Sequence, residues 1–180
     1  MPGALDALAP HLTPGVLVTD VCSVKTAPVR WMREKLPEHV EIVGTHPMFG
    51  PQSAPESLER QRIVVCPERT ERLDSIRGFL DRLGLHVLVT DAETHDRECA
   101  YTQALAQYVG RALSGIDGED SRIRTPASGL LREVSRIVGS DSWELFAAIE
   151  TLNPYAADMR REVRRRFERL DARLAAGAEA

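Results

Sequence analysis

Short apolar runs alternate with helical patterns over the first half of the chain. Continuous apolar runs, such as VLVTD at 16–20, are typical of strands buried in a parallel sheet. The helical patterns end at Pro or Gly residues, which favour helix termination. This alternation predicts an α/β layer with a mostly parallel sheet of about four strands. The predicted strands are 16–20, 40–44, 62–66 and 85–90, and the predicted helices are 4–12, 26–36 and 71–83.

The pattern changes near residue 92, after which apolar residues recur only at helical spacing. We therefore expect an α/β domain over residues 1–92 and an all-α domain over residues 93–180. A stretch rich in Gly, Asp, Ser and Pro at 115–126 is predicted to connect two of the helices. The helices predicted in the second domain are 95–113, 127–138, 142–152 and 156–176.

Composition narrows the classes of function. The 180 residues are 43% hydrophobic and carry a formal net charge of −4, which is typical of a globular protein and does not favour nucleic-acid binding. No apolar run reaches the roughly 20 residues of a membrane helix, and no secretory signal is evident. The three widely spaced cysteines suit neither a disulfide framework nor a zinc site. We therefore expect a cytoplasmic protein that binds neither membrane nor nucleic acid.

The segment DVCSVK, residues 20–25, follows the first predicted strand and leads into a helix. Ligands of open α/β sheets bind at this carboxyl edge. Ser23 either caps the helix or offers its hydroxyl to a ligand, and the local pattern fits both roles. Lys25 is one of only two lysines beside 21 arginines, a weak indication that a compact ammonium is required there.

The segment GTHPMFGP, residues 44–51, follows the second predicted strand and is expected to begin a long loop. A histidine held between rigid residues at the end of a strand is well placed to act as a general base. His46 is therefore a candidate catalytic residue, although a lone histidine also serves structural roles.

Two further clusters lie in predicted helices. His95 opens one of them and can face the same cleft as His46, whereas the helix dipole alone explains Asp96 in a first turn. Arg132 and Arg136 are four residues apart and share a helix face. Two guanidinium groups on one face suit a dicarboxylate ligand, and surface salt bridges are the alternative explanation.

Taken together and in this order, these motifs resemble the prephenate dehydrogenase family, which includes arogenate and 4-amino-4-deoxyprephenate dehydrogenases. The GTHPMFGP loop is the most specific element, and it gains strength from its combination with the upstream SVK and the downstream HD and arginine motifs. The segments that carry the resemblance are 20–25, 44–51, 62–68, 93–105 and 130–153.

The resemblance implies a partial Rossmann-like domain followed by a helical substrate-binding and dimerisation domain. It also implies oxidation of a carboxylated cyclohexadienol by NAD(P)⁺ with loss of CO₂, and a homodimer formed through the C-terminal helices. His46 matches the catalytic histidine, and Ser23 matches the serine that supports it. The matching candidates for binding the substrate and its carboxylates are Lys25, His95, Gln103, Arg132 and Arg136.

The chain departs from the family because the G-x-G-x-x-G turn that cradles the cofactor pyrophosphate is absent from the sequence. We therefore expect no cofactor, with NAD(P) binding only if a missing half is supplied. The favoured hypothesis is a repurposed enzyme that runs cofactor-independent cyclisation, isomerisation or decarboxylation on a carboxylated cyclic or polyenic substrate. One alternative is a genuine dehydrogenase whose nucleotide-binding half is truncated or supplied by another chain. Another is a non-catalytic metabolite-binding dimer.

Overall fold

The computed structural model describes residues 1–50, 57–116 and 122–177. It consists of two compact units, Met1–Asp96 and Arg97–Ala180. The division falls inside a helix, a few residues after the boundary that the hydropathy pattern predicts. Parts of the predicted loop at 45–60 and of the predicted connection at 115–126 lie outside the described residues, and so does Pro51 of the GTHPMFGP segment.

The first unit contains four strands, as the alternating pattern predicts, and their order in the sheet is β1-β2-β3-β4. β1 is parallel to β2 and β3 is parallel to β4, whereas β2 and β3 are antiparallel. The expectation of a mostly parallel four-stranded sheet is confirmed. The elements are α1 (Pro2–Leu8), β1 (Leu17–Asp20), α2 (Thr26–Lys35), β2 (Glu41–Pro47), β3 (Arg62–Arg69), α3 (Leu73–Arg82), β4 (His86–Val89) and the start of α4 (Ala92–Cys99).

Apolar side chains cover both faces of this sheet, as its continuous apolar strands require. On one face, Met32 of α2 packs with Val40 and Ile42 next to α1. On the other face, Val43 and Val65 form a core against which residues of α3 pack. Adjacent residues of β2 therefore serve opposite cores, because successive side chains of a strand point to opposite faces.

β2 is longer than the sequence predicts, and this changes where His46 lies. The Gly and Pro residues after Val43 indicate a loop, but the strand continues through Pro47. β3 pairs with this stretch in the sheet, with Thr45 opposite Val65 and His46 opposite Val64. The expectation of His46 in a loop is wrong, because a tertiary partner supplies the backbone hydrogen bonds that turn-forming residues would otherwise leave unmade. His46 is therefore held on a rigid, buried strand.

The second unit is entirely helical in its described part, as the pattern predicts. The predicted helix over 95–113 is interrupted, because a π-helical turn at Ala100–Ala104 separates α4 from α5 (Leu105–Leu113). Such turns occur mostly as single insertions and are frequent at functional sites. The remaining helices are α6 (Pro126–Gly139), α7 (Trp143–Leu152) and α8 (Ala156–Ala175).

Local chemistry fixes the starts of two of these helices. The Thr125 hydroxyl accepts a hydrogen bond from Ser128 N, and Ser128 Oγ accepts one from Thr125 N, which forms a reciprocal capping box. Ser142 caps α7 by accepting a hydrogen bond from Leu145 N. None of the described helices combines the length and the apolar character needed to cross a membrane. Cys22, Cys66 and Cys99 form no disulfide with one another.

Candidate active site

A chain of hydrogen bonds connects two imidazoles and a carboxylate in the first unit. His46 Nδ1 lies 2.9 Å from His95 Nε2, and His95 Nδ1 lies 2.8 Å from Asp96 Oδ1. All three side chains are buried, with His46 and His95 each 3% exposed and Asp96 fully buried. β2 supplies His46, and the first turns of α4 supply the other two residues. The strand and the helix thus hold an Asp–His–His array in place.

Asp96 also caps α2, the helix that follows β1. Its Oδ1 accepts a hydrogen bond from Lys25 N and its Oδ2 accepts one from Thr26 N, each at 2.8 Å. Burial alone would raise the pKa of this carboxyl group, but the hydrogen bonds from His95, Thr26 and Lys25 outweigh it and hold the pKa below its usual value. Asp96 is therefore ionised at neutral pH.

The side chain of Lys25 is fully buried and contacts the backbone of β2. Its Nζ donates to the carboxylate of Asp20 and, at 2.5 Å, to the carbonyl oxygen of Thr45. The absence of a side chain at Gly44 makes room for this arrangement, because a Cβ there would lie 2.8 Å from Val29 Cγ2 and 3.3 Å from Lys25 Cδ. The glycine of the GTHPMFGP segment is thus a packing requirement for the buried lysine.

The surroundings of His46 keep its ring neutral. Burial is the largest cause, and the electrostatic interactions with His95 and Lys25 act in the same direction, whereas Asp96 opposes them. Together they lower the pKa of His46 from 6.5 to about 3. A neutral imidazole keeps a lone pair that can accept a hydrogen bond from a ligand hydroxyl, and a base of this low pKa takes the proton only when the hydroxyl becomes strongly acidic during the reaction.

Most of the first-unit residues predicted from the sequence lie around this array. The structure brings His46, His95 and Lys25 into one buried network, and Ser23 is half-buried in the turn between β1 and α2. His95 and Lys25 each have polar partners inside the protein. Their direct contact with substrate stays a prediction.

The other predicted binding residues belong to the second unit. Gln103 lies in the π-helical turn, and its Oε1 is buried without a hydrogen-bond partner among the described residues. Arg132 and Arg136 lie on α6. The guanidinium of Arg136 is exposed and forms a forked pair with Glu133, at 2.9 Å from Nε and 2.6 Å from NH2.

Sequence reasoning did not identify Asp96 and Asp20 as members of the site. A helix dipole fully accounted for Asp96, and Asp20 was read only as the end of an apolar strand. The available signal was the proximity in sequence of each carboxylate to a cation or an imidazole, namely Asp20 before Lys25 and Asp96 beside His95. Only the fold shows that the two pairs meet through the backbone and side chain of Lys25.

The fold and the site define an α/β protein, followed by a helical unit, with a buried and neutral histidine on its second strand. Two family models match the chain: "Prephenate dehydrogenase, nucleotide-binding domain" over residues 1–89 and "Prephenate dehydrogenase, dimerization domain" over residues 91–179. Together they cover nearly the whole sequence, so the chain belongs to the prephenate dehydrogenase family. The family resemblance inferred from the motifs is confirmed.

Individual proteins named as prephenate or arogenate dehydrogenases are also similar to this chain. A probable arogenate/prephenate dehydrogenase from Methanocaldococcus jannaschii is 33% identical over 159 residues, which span 82% of this chain and 35% of that protein. The crystal structure of Synechocystis arogenate dehydrogenase matches with a TM-score of 0.69 and 26% identity, covering 97% of this chain and 67% of that one. A prephenate dehydrogenase from Aquifex aeolicus, solved with hydroxyphenyl propionate and NAD⁺, matches with a TM-score of 0.75 and 21% identity, covering 98% and 66%. The chain thus spans about a third of the length of the first curated relative.

The expectation that no cofactor takes part is wrong, because residues 1–89 match a nucleotide-binding domain. The hypothesis of cofactor-independent chemistry rested on that expectation, and the dehydrogenase alternative replaces it. The wrong expectation came from the absence of a glycine-rich turn. That turn forms only the phosphate-binding part of a nucleotide-binding domain.

The described residues do not themselves form a cradle for the cofactor phosphates. The helix that follows β1 would offer its N-terminal amides to a phosphate, but Lys25 N and Thr26 N already donate to Asp96. The turn before this helix, residues 21–25, contains no glycine. This region therefore fits the acid–base part of a dehydrogenase site and not the binding of a pyrophosphate.

Proposed function

We propose that this chain binds and deprotonates the substrate of an NAD(P)-dependent dehydrogenase of the prephenate and arogenate type. The substrate would be a cyclohexadienol with a ring carboxylate, oxidised at the hydroxyl-bearing carbon with loss of CO₂. The observation that carries this proposal is the neutral, buried imidazole of His46, held on β2 by its hydrogen bond to His95. The names of the relatives supply the substrate class.

His46 handles the proton of this reaction. Its Nε2 would take the proton of the substrate hydroxyl, and the chemistry that a bound NAD(P)⁺ would supply is acceptance of a hydride from the hydroxyl-bearing carbon. The ring carboxylate then leaves as CO₂, and the electron pair of the broken C–C bond makes the ring aromatic. The proton returns from His46 to the oxygen, which gives a phenol. Ser23 would donate a hydrogen bond to the same oxygen or to His46.

The second unit would hold the carboxylates and orient the ring. An exposed guanidinium that already forms a forked pair with Glu133 can exchange that partner for a substrate carboxylate, which makes Arg136 the stronger candidate. Arg132 lies one turn earlier on α6 and would serve a second carboxylate. The buried and unpartnered Oε1 of Gln103 would accept a hydrogen bond from the ligand.

The cofactor phosphates would be held by polypeptide that this sequence does not contain, either covalently joined to it or supplied by another chain. Two features of the first unit support a junction beside β1. Among the described residues, this strand pairs only with β2 and so offers a free parallel edge. Next to it, an apolar groove of about 410 Å³ lies between the sheet, at Thr19 and Thr45, and the α3 residue Phe79.

Substrate recognition can be tested without the cofactor. Hydroxyphenyl propionate, the aromatic acid bound to the Aquifex aeolicus protein, serves as the probe in calorimetric titrations of the full chain. We expect binding that weakens at least about 10-fold in His46→Gln and in Arg136→Gln. Arg77→Gln is the matched control, because Arg77 is an exposed arginine on α3 paired with Asp81. Equal affinity of all variants would contradict the proposed site.

Turnover is tested with prephenate and arogenate, each with NAD⁺ and NADP⁺. The chain is assayed alone and co-expressed with the part of the Synechocystis arogenate dehydrogenase that it does not cover, and products are followed by absorbance and mass spectrometry. We expect coupled formation of reduced cofactor and phenolic product, lowered about 10²-fold or more by His46→Gln. Product formation without cofactor reduction would contradict the dehydrogenase proposal.

We also propose that the chain forms a homodimer through its second unit, whose residues match a dimerization domain. A groove of about 460 Å³ runs between the π-helical turn, α5 and α8 and has almost entirely apolar walls. Phe167 and Leu170 of α8 line it and remain more than half exposed. Light scattering of the purified chain should give about 40 kDa, twice the 20.0 kDa of one chain, and Leu170→Arg should lower this mass towards that of the monomer.

A further inference from the structure

The hydrogen bonds around His46 determine which of its nitrogens carries the proton. Asp96 Oδ1 is an ionised acceptor, so the His95 nitrogen that faces it at 2.8 Å, Nδ1, must be protonated. In a neutral His95 the other nitrogen, Nε2, is then an acceptor. That acceptor faces His46 Nδ1 at 2.9 Å, so His46 Nδ1 must donate. The remaining nitrogen of His46, Nε2, is left with a free lone pair.

We propose that Asp96, acting through His95, fixes the base form of His46, and that the positive charge that develops when His46 takes a proton passes to His95, where Asp96 stabilises it. The part that these residues play in the reaction rests on the proposed function. The tautomers do not, because they exist in the protein without substrate. Asp96 and His95 are positioning residues here, because each acts through His46 and not on the reacting atoms.

The proton balance follows the same path. When His46 Nε2 binds the hydroxyl proton, its Nδ1 proton shifts along the 2.9 Å hydrogen bond to His95 Nε2. His95 then carries the positive charge, directly against the ionised Asp96. When the product oxygen recovers its proton from His46 Nε2, the Nδ1 proton returns from His95. No proton is gained or lost in the cycle, and every acceptor lies within hydrogen-bond distance.

The anchoring of Asp96 makes this arrangement rigid. Its two oxygens are held by the first amides of α2, so the carboxylate cannot turn away from His95 without breaking two backbone hydrogen bonds. Other titratable groups lie near the array: Lys25 and Asp20 form their own ion pair, Cys66 belongs to β3, and Cys99 follows one turn later on α4. The pKa of Cys66 is raised to about 12, mainly by burial, so this thiol stays neutral.

The tautomers can be read directly from the nitrogen chemical shifts of histidine in the ¹⁵N-labelled full chain at neutral pH. We expect a protonated Nδ1 and a bare Nε2 for both His46 and His95. His39 provides an internal reference of the opposite kind, because its Nε2 faces the carbonyl oxygen of Leu12 at 3.1 Å and must be protonated. A protonated Nε2 on His46 in the wild-type chain would overturn the proposal.

Asp96→Asn tests the role of the carboxylate, and Asp91→Asn is its matched control. Asp91 precedes the same helix and its side chain accepts a hydrogen bond from Thr94 N, but among the described residues it forms no side-chain hydrogen bond with either imidazole. We expect Asp96→Asn to shift the proton of the neutral His46 ring from Nδ1 to Nε2 and to lower kcat on the order of 10²-fold. Asp91→Asn should change neither the tautomer nor kcat. Unchanged tautomers in folded Asp96→Asn protein would contradict the proposal.

His95→Gln and His95→Leu separate positioning from structure. The side-chain carbonyl of Gln can still accept the Nδ1 proton of His46, whereas Leu cannot. We expect His95→Gln to keep the His46 tautomer and His95→Leu to lose it. If the wild-type tautomers are as described but no dehydrogenase substrate turns over, the proposed function fails and the tautomer assignment stands. If turnover is found but His46 Nε2 is protonated in the wild-type chain, the proposed function stands and the tautomer assignment fails.

Discussion

Two charged clusters, one in each unit of this protein, differ in how far their side chains are buried. In the first unit, Lys25, Asp20 and Asp96 are buried, and each has partners inside the protein. In the second unit, Arg136 and its partner Glu133 are exposed neighbours on one helix turn. A buried charge must be neutralised before any ligand arrives, whereas an exposed arginine can exchange its partner for a ligand. Under the proposed function, the first unit holds the base and the exposed arginine of the second unit binds a carboxylate of the substrate.

The largest effect should come from removing one partner of the buried ion pair. Lys25→Met leaves the Asp20 carboxylate buried without its cation, and we expect it to lower the free energy of unfolding by about 3–5 kcal/mol. The other lysine provides the control, because Lys35 pairs with Asp6 at 2.6 Å on the surface. Lys35→Met should cost less than about 1 kcal/mol. Urea denaturation measures both, and equal losses would contradict the contrast between buried and exposed pairs.

A smaller effect on stability is expected when the pH is lowered. The pKa of His46 is lowered from 6.5 to about 3, so between these values the unfolded chain binds a proton that the folded chain does not. Stability must therefore fall as the pH decreases from 6.5 towards 3, by up to about 1.4 kcal/mol for each pH unit from this group. His46→Gln removes that contribution, and its melting temperature should depend less on pH in this window. A parallel pH dependence in both proteins would show that His46 is not held neutral.

The smallest effect on stability is expected in the second unit. Arg136→Gln breaks an exposed pair within one helix, so the free energy of unfolding should stay unchanged within measurement. The same variant should bind hydroxyphenyl propionate at least about 10-fold more weakly, because a ligand carboxylate loses its forked partner. Thermal melting and titration calorimetry on the same sample separate the two outcomes. A loss of stability without a loss of affinity would assign Arg136 to structure.

The contrast also explains which parts of the site the sequence could predict. His46, Ser23 and the arginines stand out because their residue types and spacing indicate chemistry on their own. Asp96 does not, because a carboxylate in the first turn of a helix is fully explained by local electrostatics. Its function arises from α2 and His46, which lie far from it in the sequence, and no local pattern contains that information.

The sequence by itself determined the class of fold, since the apolar periodicity specifies four strands, the order of helices and an all-helical second unit. It also determined the family, because the motifs occur together and in order. Only the tertiary structure decided that β2 extends through His46, that Gly44 makes room for Lys25, and that Asp96 caps α2 while it orients His95. The physical reason is that periodicity reports which side of an element is buried, whereas a hydrogen bond between distant residues exists only after the chain has brought them together.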